Sequence, residues 1–201
     1  MKIETAMIAG IVASDGHLDK DFHIVRIVTS SEAFLKFTKT ALEKITKNKI
    51  RVYVSKSGFG KQRYTIYLND ESLYNLLFEK FNIPKGKKSS LIEPPKNLDA
   101  KEEKAYIEGW FAGEGSITHD RNVPQFILWS KSDEIIHWLR DKLAEKNIGV
   151  TLFFSKKKQQ HMIIVRRKDD FLRFIKEFNI IHPDKKLKLA SLLERPRFRT
   201  S

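Results

Sequence analysis

One nine-residue segment is written twice in this chain, and nothing else in the sequence restricts the fold as tightly. Ile8-Ala9-Gly10-Ile11-Val12-Ala13-Ser14-Asp15-Gly16 returns as Ile107-Glu108-Gly109-Trp110-Phe111-Ala112-Gly113-Glu114-Gly115, 99 positions later. Other landmarks keep the phase: Ser31-Glu32 with Ser132-Asp133, Ser55-Lys56 with Ser155-Lys156, and Phe81-Asn82-Ile83 with Phe178-Asn179-Ile180, at offsets of 101, 100 and 97. Near-constant offsets over a whole chain imply a duplicated unit. The expected division is a first repeat over 1–83, a Pro-, Lys- and Ser-rich linker over 84–99, and a second repeat with a C-terminal extension over 100–201.

Each repeat reads as helix, two strands, helix, two strands, helix. Residues 22–30 and 124–130 are β-branched and aromatic enough for strands. Ser31 and Ser132 look like N-caps for helices over 32–46 and 133–147. Hairpins follow, with strands near 50–56 and 62–68 around Ser57-Gly58-Phe59-Gly60, and near 150–156 and 160–167 around Lys157-Lys158-Gln159. Helices over 71–82 and 169–180 close the units.

The formal charge of +13 divides evenly, with 17 basic against 11 acidic residues in 1–99 and 21 against 14 in 100–201. Within each half it is concentrated on the hairpin: 44–69 carries seven Lys or Arg and no acid, and 146–168 repeats the bias. A single charge run is usually a solvated face, but two at equivalent places point to one shared surface. Strand alternation sharpens this. Arg51, Tyr53 and Ser55 oppose Ile50, Val52 and Val54, and Arg63, Thr65 and Tyr67 oppose Tyr64, Ile66 and Leu68. One face is core, and the other suits phosphates and base edges. Arg51, Tyr53, Lys56, Lys61, Arg63, Lys156, Lys157, Lys158 and Arg166 are the candidate nucleic-acid contacts. The halves differ along their strands, as Arg51 against Thr151 illustrates, so an asymmetric target is expected.

Composition excludes several classes. No apolar run reaches the roughly 20 residues of a membrane-spanning helix, and the N-terminus is neither a signal nor a transit peptide. An intracellular, cytoplasmic protein without membrane partners is expected. The absence of Cys removes disulfides, thiolate zinc sites and cysteine nucleophiles. Any metal must be held by oxygen or imidazole.

The repeated segment carries the chemistry. Ala6, Gly10 and Ser14 recur at helical spacing, as do Gly109 and Gly113, which suits close helix packing through Gly10, Gly109 and Gly113. Packing the copies together brings Asp15 and Glu114 near one another at the negative ends of two helix dipoles. A divalent cation would relieve both problems. Gly16 and Gly115 are expected as left-handed exits. Glu108 is expected on the rim. Trp110, Phe111, Trp129 and Trp138 are expected in core or interface, Trp129 being the one able to face the groove. His17 and His119 carry no paired spacing and read as surface residues.

These residues and their spacing resemble the LAGLIDADG homing endonucleases in their monomeric, two-repeat form, over nearly the whole chain. The resemblance implies an α+β fold of two pseudo-symmetric αββαββα repeats with antiparallel, saddle-shaped sheets. It implies a Mg²⁺-dependent (or Mn²⁺-dependent) endodeoxyribonuclease that hydrolyses both strands of a long DNA site, associated with an intron or intein. Asp15 and Glu114 would hold metal, joined by the carbonyls of Ser14 and Gly113. A basic residue follows the last helix of each unit in the family. That region offers Lys85, Lys87 and Lys88 in the first half and Lys185, Lys186 and Lys188 in the second. Aligning Leu91 with Leu192 pairs Lys87 with Lys188, the pair chosen for that catalytic role, and Lys85 with Lys186. Ser30 and Ser130 stand where some members carry glutamine, and capping is their expected role. Arg195, Arg197 and Arg199 are offered to phosphate or left to fray. The alternative is a relative that holds intron RNA as a maturase, or a non-cleaving binding module.

Overall fold

The computed structural model describes residues 2–56, 60–120 and 123–194. The turn at Ser57-Gly58-Phe59 and the arginines at 195, 197 and 199 lie outside them.

Each half is built around a motif helix. Helix α1 (Ile3–Asp15) leads into β1 (Gly16–Leu18) and β2 (Ile24–Thr29), then α2 (Glu32–Glu43), β3 (Ile50–Lys56), β4 (Gln62–Asn69) and α3 (Glu71–Glu79). The second half repeats the order with α4 (Ala100–Glu114), β5 (Ser116–Asp120), β6 (Val123–Ser130), α5 (Asp133–Glu145), β7 (Thr151–Ser155), β8 (Gln160–Val165) and α6 (Lys168–Glu177). The two antiparallel sheets have the orders β1-β2-β4-β3 and β5-β6-β8-β7. The expected pair of αββαββα units is thus present. One element was not foreseen: α7 (Pro183–Leu193), whose Pro183 stands in the first turn, where a missing N–H costs nothing.

Local chemistry starts the helices. Ser31 Oγ accepts from Phe34 N at 3.1 Å, Ser132 Oγ from Ile135 N at 3.5 Å, and Asp70 Oδ1 from Leu73 N at 2.9 Å. Helix α4 begins with a capping box in which Asp99 Oδ1 accepts from Glu102 N and Glu102 Oε2 accepts from Asp99 N. In the sheets, period-two alternation buries Val25, Ile27, Ile66 and Leu68 in one half and Phe126, Leu128, Ile163 and Val165 in the other. The second core is aromatic: Phe126 stacks on Phe171 at 4.2 Å and meets Phe174 at 4.4 Å and Phe111 at 5.4 Å.

Helices α1 and α4 pack against each other at the centre, with Ile8, Ala9, Gly10, Ile11 and Val12 buried on one and Tyr106, Ile107, Gly109, Trp110 and Phe111 on the other. Their crossing is set by glycine. A Cβ on Gly10 would collide with the Tyr106 carbonyl and lie 2.7 Å from Trp110 N, and one on Gly109 would collide with the Met7 carbonyl. Backbone therefore meets backbone.

Glu108 is not on the rim. It is 7% exposed, and its Oε1 accepts from Asn179 N at 2.8 Å and Asn179 Nδ2 at 2.9 Å, stitching α4 to the end of its own repeat. Glu108→Ala leaves Asn179 unpaired beside a cavity. An unfolding free energy lower by about 1–3 kcal/mol is expected in urea denaturation.

Candidate functional site

Asp15 ends α1 and Glu114 ends α4. Because the helices pack side by side, both carboxylates arrive at one place between the sheets. The chain leaves each helix through an extended glycine, Gly16 at φ −88° and ψ −172° and Gly115 at φ −74° and ψ 151°. The expected left-handed exits are absent. Glycine is needed here for space, since a Cβ would stand 2.6 Å from Val12 Cα at the first and 2.6 Å from Phe111 Cγ at the second.

Two lysines plug the helix ends. Lys88 Nζ donates to the carbonyls of Val12, Ala13 and Ser14 at 2.7, 2.6 and 2.8 Å. Lys185 Nζ donates to those of Phe111, Ala112 and Gly113 at 2.9, 2.6 and 2.9 Å. A helix leaves its last carbonyls unsatisfied, and a cation there also opposes the dipole. The pair differs from the expected one. Lys87 and Lys188 are exposed, whereas Lys88 and Lys185 reach the motif helices. The offset of 97 carried by Phe81-Asn82-Ile83 and Phe178-Asn179-Ile180 pairs Lys88 with Lys185 directly, and this is the signal that could have found them.

The surroundings divide into two clefts. Asp15 shares the first with Gly113 and Lys185 of the other repeat and with Ser30, Lys61, Gln62 and Arg63 of its own. Glu114 shares the second with Ser14 and Lys88, together with Ser130, Lys131 and Gln160. Each cleft thus joins an acid from one repeat to a lysine and a carbonyl from the other. A third depression links Asp15 to the sheet face through His17, Arg26, Ser55, Arg63, Thr65 and Tyr67.

Desolvation shifts both acids and the two lysines at the helix ends. Desolvation raises the Asp15 carboxyl above its usual range against the opposing pull of Lys185 and Lys88. Glu114 is raised by desolvation and by the charge of Asp15. Both acids still open onto solvent at one side. Desolvation lowers Lys88 to about 7 and Lys185 to about 8, with the two carboxylates pulling the other way. His182, stacked 4.3 Å from Phe34, is lowered by burial to about 4 and so is neutral at neutral pH.

These shifts fix a sign. A lysine near 7 when folded and 10.5 when unfolded takes up its proton on unfolding anywhere between those values, so its contribution makes the metal-free protein more stable as pH rises through that window. Lys88→Met is expected to flatten that rise, measured by urea denaturation in EDTA across the window.

The donors available to a metal are oxygens: the carboxylates of Asp15 and Glu114 and the carbonyls of Ser14 and Gly113. Each carbonyl accepts one bond from a lysine and keeps a second lone pair. Among the described residues no group of three or more His, Asp or Glu converges into a metal cluster. Such a set fits a hard cation whose remaining positions are filled by water and substrate oxygens, as Mg²⁺ prefers.

The other candidate residues lie on the sheets. Arg51, Tyr53, Lys56, Lys61 and Arg63 are exposed, Arg51 and Tyr53 lining a shallow groove with Tyr67. Lys156, Lys157, Lys158 and Arg166 are exposed on the second repeat, with Lys158 Nζ 4.7 Å over the ring of Trp129. The chain bears Ser30 exposed in the first cleft, while Ser130 Oγ accepts from Ser132 N at 3.0 Å. Among the described residues no helix is long and apolar enough to cross a membrane.

A family model described as a LAGLIDADG-like domain matches residues 2–81 and again 101–179. No curated protein matches the sequence. Solved structures do. The homing endonuclease I-WcaI bound to its DNA recognition sequence superposes with a TM-score of 0.65 at 16% identity, over 94% of this chain and 86% of that one. I-DmoI in complex with DNA and Mn gives 0.64 at 16% identity, over 88% and 96%. The full-length DUF199/WhiA protein from Thermatoga maritima gives 0.66 at 13% identity, over 94% of this chain and 60% of the longer one. At such identities the likeness establishes the fold alone, and that fold is shared by homing endonucleases and a WhiA protein.

Proposed function

Since this chain belongs to the LAGLIDADG-like family, with one family model matched by each half, we propose that it is a site-specific endonuclease that cuts both strands of a long, asymmetric DNA duplex. The observation that carries this reading is the pair of clefts at the ends of α1 and α4. Each combines a desolvated carboxylate, a lysine of lowered pKa and a backbone carbonyl, the first lined also by Lys61 and Arg63 and the second by Lys131 and Gln160. I-WcaI and I-DmoI, which share the fold, are described with DNA, the latter with Mn.

Asp15 and Glu114, with the carbonyls of Ser14 and Gly113, would hold Mg²⁺ or Mn²⁺. When bound, such a cation activates water and neutralises charge developing on the phosphate and leaving oxygen. The protein's own groups do the rest. Lys56, Lys61, Lys156, Lys157, Lys158 and Arg166 neutralise phosphates and fix the register of the duplex, while Arg51, Arg63 and Tyr53 stand on the sheet face that meets the groove. Lys88 and Lys185 titrate near neutral pH, so each can hold or release a proton beside an acid. This role replaces the one expected for Lys87 and Lys188. The single chain supplies both clefts and needs no second copy, so it acts as a monomer.

The test is cleavage of plasmid libraries carrying intron-insertion junctions, with Mg²⁺ or with EDTA. Staggered double-strand ends at one site, lost in EDTA, are expected. The occurrence of the same fold in a DUF199/WhiA protein as well as in homing endonucleases leaves a second reading, a non-cleaving module that binds DNA or intron RNA. Tight metal-independent binding without any cut would establish that reading instead.

A further inference from the structure

The strand registers allow the two groove faces to be compared position by position. In the first sheet one cross-strand row runs His17, Arg26, Tyr67, Arg51, the next runs Val28, Thr65, Tyr53, and a third pairs Arg63 with Ser55. In the second sheet the matching rows are Ser116, Ile127, Ile164, Thr151, then Trp129, Met162, Phe153, then Gln160 with Ser155. The offsets within these rows run from 97 to 101, the same phase that the repeat carries everywhere else. The correspondence is therefore fixed by hydrogen-bonded register.

The chemistry changes along every row. Arg26, Arg51 and Arg63 become Ile127, Thr151 and Gln160, Tyr67 and Thr65 become Ile164 and Met162, and Tyr53 becomes Phe153. The first face thus offers three guanidinium groups, with Arg26 Cζ 5.8 Å from the ring of Tyr67. The second offers none at these places: its centre is aliphatic, thioether and aromatic, with Ser116, Thr151, Gln160 and Ser155 at its margins. Apart from Ile127, which is 8% exposed, it is not a covered core: Phe153 is 53% exposed, and Trp129, Met162 and Ile164 are half-buried. Nor has the second repeat lost its cations. Lys156, Lys157, Lys158 and Arg166 remain exposed beside this face, and Lys158 lies over Trp129. Positive charge is kept for the phosphate backbone and removed from the surface that meets base edges.

Guanine presents two acceptors in the major groove that match an arginine, and thymine presents a methyl group that matches an apolar side chain. We propose, building on the nuclease reading, that the two sheets select their half-sites by different chemistry. The first reads guanine acceptors through Arg26, Arg51 and Arg63. The second reads thymine methyl groups through Trp129, Met162, Ile164 and Phe153, and Gln160 and Gln125 stand at its ends where adenine can be paired.

The experiment is enrichment of binding sites from random duplex DNA by the full chain in Ca²⁺, followed by affinity measurements on the winning duplex. Uracil is then placed for thymine in one half-site at a time, which deletes the methyl and leaves pairing intact. In the half-site on the second sheet, each contacted methyl removed should weaken binding about fourfold, the worth of one buried carbon. In the other half the same change should alter affinity less than twofold, and guanine should dominate the enriched sequence. A Met162→Ser, Ile164→Ser double variant should discriminate thymine from uracil less than the wild type in the second half-site while still enriching guanine in the first half. An enriched site whose uracil substitutions cost the same in both halves would overturn this inference and leave the nuclease reading standing. If no sequence is enriched, both fall together.

Discussion

Asp15→Asn is expected to reduce double-strand cleavage on the order of a thousand-fold or more, and Glu114→Gln to do the same. A carboxylate at a metal-assisted phosphoryl centre is asked to supply several kcal/mol of charge stabilisation, and about 1.4 kcal/mol is a factor of ten in rate. The substitutions preserve shape, so DNA affinity without metal should stay within a few-fold of wild type. Stability gives an independent check. The folded Asp15 carboxyl is raised above 3.8 by desolvation, so at neutral pH its charge opposes folding of the metal-free protein. Asp15→Asn should therefore be slightly more stable than wild type while being inactive, the usual relation at a site built for chemistry. Cleavage of a mapped site, followed on a gel beside urea denaturation in EDTA, reads both quantities. Wild-type cutting by Asp15→Asn would remove the acid from the mechanism.

Gly109→Ala is expected to produce a large loss of stability for a single methyl, as is its counterpart Gly10→Ala on the facing helix. Alanine is the better helix former by about 1 kcal/mol, so an isolated α4 would gain. In the folded protein the new carbon collides with the Met7 carbonyl and lies 3.0 Å from Ile11 N. Those atoms belong to a helix backbone and cannot rotate away as a side chain would. Overpacking of this kind costs about 1–3 kcal/mol, which for a chain of this size lowers the melting temperature by roughly 2–12 °C, toward the upper end where nothing can yield. Cleavage should fall too, because parting the helices displaces the two acids together. A variant that melts at or above the wild-type temperature would mean that α1 and α4 separate cheaply.

The parts of the architecture that follow from periodicity were legible in the chain. The repeat of Ile8–Gly16 at Ile107–Gly115 announced the packed helices, and alternation along Gln62–Asn69 announced which sheet face is core. Along the edge strand Ile50–Lys56 it overreached, since Ile50 and Val52 are only partly buried and Val54, expected in the core, is 59% exposed. Asp15 and Glu114 were legible for the same reason, being attached to the repeated helix. The lysines were not. In the second repeat Lys185 sits in the first turn of α7, while in the first repeat Lys88 lies on irregular chain tied back by Gly86 N to Leu18 O. Matching Leu91 to Leu192 aligned a loop with a helix and slipped the register by four positions. Glu108 misled because a charged residue in a buried helix reads as surface unless its partner is known. That partner, Asn179, is 71 residues away in the chain.

The cross-paired clefts bear on how such a chain changes over generations. Asp15 works beside Lys185 and Gly113, and Glu114 beside Lys88 and Ser14, so neither repeat owns a complete centre. The strand faces are private to each repeat and free to diverge, as Arg26 against Ile127 already illustrates. The helix ends are common property. On the nuclease reading proposed above, a change there would touch both clefts, so one half of the molecule could drift toward a new address while the helix ends it shares with its twin are held still.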